Sequence, residues 1–547
     1  MKKYALETLT ISSLEKVFSN IRPTLLENEG FCFQNEVASF QVAYIRKDYD
    51  AEMYNCTFEV LGDLRKYITI RPVKRAICSK PFRGEDDEYY LIKEEGVVPD
   101  ILDESKNFYI KTNQWDSLWV TVKGDLPVGK HKIVIRIKWN KQVYGEAVYY
   151  LTVAEQRLPE SDITYMHWFH YDSLSAYYKT KVWGKKFNKI VDEYIQNAVA
   201  HGVTHLYLPL FSPPLNTKVG LYRKTVQLVD VEVVDEKYIF NFDRLDAFID
   251  NAMRLGVKGF ELCHLFSQWG AKCAIKVMAK KDGKVQNIFG WNVSSSDERY
   301  LSFLKAFLLE FVPYLRKKGL DNTKAYFHLS DEPKEWALDN YLKLKEIIKP
   351  YLGEYKICDA LSCYDFYKKG VVDVPIVLTS ATKPFIEDGI KDLFVYFCLE
   401  PCWEGYSNRF MAMPSYRARV FGFQLYMNKC KGFLHWGYNY YNSALTERYL
   451  NPYVETDAGG DFPSGDSFVV YPNEDGTPLD SIRHEVFFDA FQDYRALLLL
   501  ETKIGREKVE NFLTKCGIGK NFNEYPKDAN SILGIRKQIN VMIQENV

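Results

Sequence analysis

The chain changes rhythm near residue 155, and the change divides it into two unlike parts. Before it, apolar residues alternate with polar ones at the period of a half-buried strand. Ile133, Ile135, Ile137 and Trp139 share one face, as do Leu118, Val120 and Val122, and Phe40, Val42 and Tyr44. The turn formers of 124–129 separate two of these runs. After Glu155–Asp162, short apolar runs at 163–169, 204–210, 258–265, 324–330, 356–361, 375–380, 393–399 and 432–438 succeed one another. Amphipathic stretches at 185–200, 243–255, 297–318, 334–349 and 415–428 fall between many of them. Eight strands in such a series close a barrel. Residues 1–157 are therefore expected to form an all-β sandwich, and residues 158–547 an α/β, (β/α)8 TIM-type barrel with C-terminal helices. A doubly wound open sheet is the competing architecture, but neither GxGxxG nor GxxxxGK[ST] is present.

Composition narrows the function. The 71 basic and 72 acidic residues are interspersed and form no basic stripe, which gives nucleic acid little reason to bind. No run approaches the ~20 apolar residues of a membrane span. Lys2 and Lys3 could begin a signal peptide, but Glu7 and its polar neighbours leave no continuous apolar stretch after them. No signal peptide is evident, and a cytoplasmic location is expected. Eleven cysteines without a CxxC pair read as reduced thiols. Neither His167 with His170 nor His201 with His205 sets two ligands on one helix face. No metal and no cofactor is expected, and nothing in the chain signals an oligomeric state.

Chemistry in such a barrel sits at the C-terminal strand ends. Those ends carry His170, Tyr171, His264, Gln268, Trp269, Asp331, Glu332, Tyr396, Glu400, Trp403, Trp436, Tyr438 and Asn439. Flat rings with short polar groups suit a neutral polyhydroxylated ligand. In Ser330-Asp331-Glu332-Pro333, regular strand geometry would send only one carboxylate inward. Both reach the cleft only if the chain leaves that geometry, and so close a pair should raise a pKa. Pro333 is placed to open the next helix, where the acids would otherwise simply complement its dipole.

These residues resemble glycoside hydrolase family 123, the β-N-acetylgalactosaminidases and their relatives. The resemblance rests on Ser330–Pro333, on the blocks at 432–439 and 465–472, and on 480–485 and 491–494. It implies a retaining exo-glycosidase acting on N-acetylhexosamine-containing glycans through the substrate's own acetamido oxygen. Asp331 then matches the residue that orients the acetamido group, and Glu332 matches the general acid. Tyr396 and Trp436 fall where that group would be held. His264, His328, Tyr438, Asn439 and Asp466 are candidates for hydroxyl contacts, and Arg483 with Glu485 for an ion pair holding the last loop. A β-N-acetylglucosaminide or α-N-acetylgalactosaminide specificity on the same scaffold stays open. So does a carbohydrate-binding protein without catalysis, although a lectin has no need of paired acids.

Overall fold

The computed structural model describes residues 5–47 and 52–546, so the signal-peptide reading of residues 1–4 lies outside the described residues. The N-terminal part is two five-stranded sheets face to face. Between them lie Ile133, Ile135, Ile137, Val42, Leu118 and Val120, all nearly inaccessible, as their alternation requires. The last of these strands, Gln142–Ala154, is followed by a short connection to the first strand of a second sheet, Thr164–His167.

That second sheet has eight parallel strands. In spatial order they are Ala325–Tyr326, Gly259–Leu262, His205–Leu208, Thr164–His167, Gly432–His435, Phe394–Tyr396, Val374–Leu378 and Cys358–Ala360. A parallel bridge between Phe327 and Ile357 joins the two ends and makes a nearly closed barrel. Each strand falls within or against one of the apolar runs of the sequence, because strands covered on both faces need no polar alternation. Helices such as Lys185–Ala200, Asp243–Arg254 and Glu298–Lys317 lie between successive strands. The last is fixed at its start by Asp297, whose carboxylate accepts from the backbone N–H of Arg299. Tyr300, Phe303, Leu304, Phe307 and Phe311 form its buried stripe. Sequence periodicity does not register a four-stranded sheet built from excursions at Asp230–Asn241 and Val277–Phe289.

One sandwich sheet packs on the barrel, so Val73, Val98, Ile101 and Trp119 belong to a core continuous with it. Charge also crosses this boundary. Asp100 of the sandwich accepts two hydrogen bonds from Arg483, at 2.9 and 3.0 Å, and a third from Tyr471 at 2.6 Å. Arg71 bridges Asp480 (2.8 Å) and Glu485. Arg483 and Glu485 therefore do not pair with each other: each finds its opposite charge in the sandwich. Among the described residues, no helix is long and apolar enough to cross a membrane.

Removing one partner of a buried pair strands the other charge. Asp100→Ala should therefore lose ~3–5 kcal/mol of stability in denaturant unfolding, whereas a loss below ~1 kcal/mol would show the pair to be idle.

Candidate active site

Beyond the barrel strand Ala325–Tyr326, the chain abandons extended geometry. Glu332 takes φ 43°, in the left-handed region. Through this turn the side chains of both Asp331 and Glu332 line one cavity of about 580 Å³ at the C-terminal strand ends. Pro333 does not open the following helix. A short 3-10 turn, Glu335–Ala337, intervenes, and the helix proper is Leu338–Leu352. The two carboxylates thus lie outside its first turn, which removes the helix-dipole explanation for them.

Trp168, His170, Trp269, Tyr396, Glu400, Trp436 and Phe462 line the same cavity, with Lys334 and Asp461. Trp269 also takes a left-handed φ of 55°, and its N–H donates to the carbonyl of Asp331 at 3.0 Å. Two loops are thereby locked together at the cavity wall. Arg83 arrives from the N-terminal part. Its segment is laced to the barrel rim by the Tyr90 hydroxyl on the Cys402 carbonyl (2.8 Å) and by Asp87 against Arg417 (3.0 Å). No sequence motif points to Arg83, because only tertiary docking brings it here.

The electrostatics follow from burial. Desolvation raises Asp331 well above the usual carboxyl range, and the charges of Glu332 and Asp359 add to it. Desolvation likewise raises Glu332, against the Tyr396 hydroxyl, which donates to its Oε1 at 3.0 Å, and against nearby Lys334. The pair therefore holds a proton toward neutral pH more readily than two isolated carboxylates.

Beneath the pair lies a buried polar layer. Trp168 donates through Nε1 to Glu261 at 2.6 Å, and Glu261 lies 2.5 Å from Nε2 of His328. The other ring nitrogen of His328 faces Asp359 at 3.5 Å, and Asp359 accepts from Tyr341 at 2.5 Å and from the Ser330 N–H at 3.3 Å. Burial disfavours a charge on His328, but Cys358, Glu261 and Asp359 outweigh it and lift the imidazole well above its ordinary value.

Of the nine residues given catalytic or substrate-binding roles from sequence, Asp331, Glu332, Tyr396 and Trp436 meet in the cavity. The other five do not line it, and three of them support groups that do. Asp466 accepts from Nε1 of Trp436 at 3.1 Å. Asn439 clasps the backbone of His170, accepting from its N–H at 2.8 Å and donating to its carbonyl at 3.3 Å. His328 belongs to the buried layer. His264, wholly buried, contacts the Tyr207 hydroxyl through Nδ1 at 3.0 Å. Tyr438 points behind the barrel wall, where its hydroxyl donates to the Tyr194 carbonyl and Asn197. His170, which the sequence places only at a strand end, reaches the cavity in neutral form. Burial and Arg223 push its pKa down to about 3. The cysteines are free, and Cys363 is exposed.

Two buried clusters carry ligand-type side chains: His264 with His328 and Asp359, and His201 with Asp480 and His484. In the second, the imidazoles stack at 3.8 Å and Arg71 already supplies the counter-charge to Asp480.

A search of curated proteins finds no match. Among solved structures, a family 123 glycoside hydrolase from Clostridium perfringens superposes with a TM-score of 0.76 at 16% identity, covering 99% of each chain. A likeness at that identity concerns the fold. A family 5 mannosidase from Rhizomucor miehei covers 68% of this chain and 97% of its own, at 11% identity and a TM-score of 0.34, too loose to support any argument. The profile of the glycoside hydrolase 123 catalytic domain matches residues 168–500, spanning every residue of the cavity except Arg83. The chain belongs to glycoside hydrolase family 123.

Proposed function

We propose that this glycoside hydrolase is a retaining exo-enzyme that releases terminal β-linked N-acetylgalactosamine by substrate-assisted catalysis. The observation that carries the reading is that two adjacent carboxylates enter an aromatic-lined cavity from a single turn. An ordinary retaining pair flanks the bond, with a protein nucleophile on the far side of the ring. Neighbours on one turn suit a different division of labour. The acetamido oxygen of the sugar attacks C1 while Glu332 protonates the departing oxygen. Asp331, which ionises as positive charge develops beside it, accepts from the acetamido N–H and stabilises that charge. Water then opens the oxazolinium ring, with Glu332 acting as base. Trp436, held by Asp466, and Tyr396 are suited to enclose the acetamido group. The Clostridium perfringens relative is described as hydrolysing glycolipid glycans, a substrate class that agrees with this reading.

A second reading rests on Glu400, which lines the same cavity. As a base on water it would make the enzyme inverting.

Glu332→Gln should slow glycosides with poor leaving groups by ~10²–10⁴-fold, and activated aryl glycosides far less, since a good leaving group needs little protonation. Equal losses for both classes in steady-state kinetics would contradict the acid role. Asp331→Asn should lower kcat by about a hundredfold, near 3 kcal/mol, with little change in substrate binding. A near-wild-type kcat would remove Asp331 from the mechanism.

A further inference from the structure

The turn that carries Glu332 continues into Trp336, whose side chain is one of the most exposed large aromatics, at 59%. Beside it runs a groove of about 180 Å³ whose other walls are polar, with Lys272, Ser294, Ser296 and Asn340. The groove adjoins the cavity through two chain segments. Trp269 lines the cavity, and the next residue, Gly270, lies so close to Trp336 that an added Cβ would come within 2.4 Å of its ring. Lys334, also in the cavity wall, is two residues before Trp336. The spacing is rigid on both sides. Asn340 donates to the carbonyls of Gly270 (3.2 Å) and Ala271 (2.8 Å), while Trp269 is tied to Asp331.

We infer that this groove is a leaving-group subsite, in which Trp336 stacks on a sugar ring of the glycan attached to the scissile bond. The inference rests on the reading of Glu332 as general acid. A proton donor must face the glycosidic oxygen, so the leaving group extends on the Glu332 side. Four residues of chain reach at most ~14 Å, which keeps Trp336 within the length of a short oligosaccharide from the bond. A flat ring bordered by hydroxyls, an amide and an ammonium matches a pyranose, which offers an apolar face and a rim of hydroxyls. The Lys272 ammonium lies 4.4 Å from the centre of the indole, and as an exposed, flexible side chain it can swing aside to bond a hydroxyl. The substrate class is then an oligosaccharide or glycoconjugate in which further sugar follows the released one.

The test compares wild type, Trp336→Ala and Trp336→Phe on two substrates with the same terminal sugar: its methyl glycoside and a trisaccharide. The ratio of kcat/KM for the trisaccharide to that for the methyl glycoside should fall about tenfold in Trp336→Ala, and Trp336→Phe should restore most of it. Lactose, a neutral disaccharide probe, should bind wild type in an NMR titration and lose affinity in the same order. An unchanged ratio, or lactose binding that ignores the substitution, would overturn the subsite. If wild type cleaves neither substrate, the proposed function fails, and the lactose titration still decides the groove.

Discussion

A buried guanidinium without partners is costly, and Arg483 is nearly inaccessible, at 3% exposure. It solves the problem by joining three things. Its Nε and Nη2 meet Asp100 of the sandwich bidentately, and its Nη1 donates to the carbonyls of Gly465 and Phe468. Between those carbonyls sits Asp466, the residue that holds Trp436 at the cavity wall. The sandwich therefore takes part in the site indirectly through Asp100 and directly through Arg83. Arg71 repeats the device with Asp480 and Glu485.

The same logic governs the floor of the cavity. Glu261, His328 and Asp359 are fully buried, and the imidazole of His328 lies between the two carboxylates. Their hydrogen bonds end on Trp168 and on the Ser330 N–H, one step before the turn that carries Asp331 and Glu332. Position and protonation are thus set together, because the network that fixes the turn also supplies the charges felt by Asp331.

How much of this is legible in the chain depends on how local the cause is. The eight barrel strands are legible because each is a short, continuous apolar run, and burial on both faces demands that pattern. Asp331 and Glu332 are legible as a pair, since two neighbours can reach one cleft only where the chain leaves strand geometry. Side-chain direction at a strand end is not local in this way. Tyr438 and Trp436 are two residues apart, yet one lines the cavity and the other bonds Tyr194 and Asn197 behind the wall. His328 and His264 stand near strand ends in sequence as candidates for hydroxyl contacts, but both side chains are buried and neither lines the cavity. Asp100 and Arg83 carry no motif, because their roles exist only once the sandwich has docked.

The central chemical claim is that the nucleophile belongs to the substrate. Proton NMR of the first-formed sugar, recorded before mutarotation, tests it most directly when paired with a matched substrate bearing a plain 2-hydroxyl, which should be almost inert; brisk hydrolysis of that substrate with retention would mean a protein nucleophile. Two inversions at C1 leave the β-anomer as the initial product from a β-glycoside. Initial release of the α-anomer would mean a single displacement by water, contradict the acetamido mechanism, and assign the base role to Glu400.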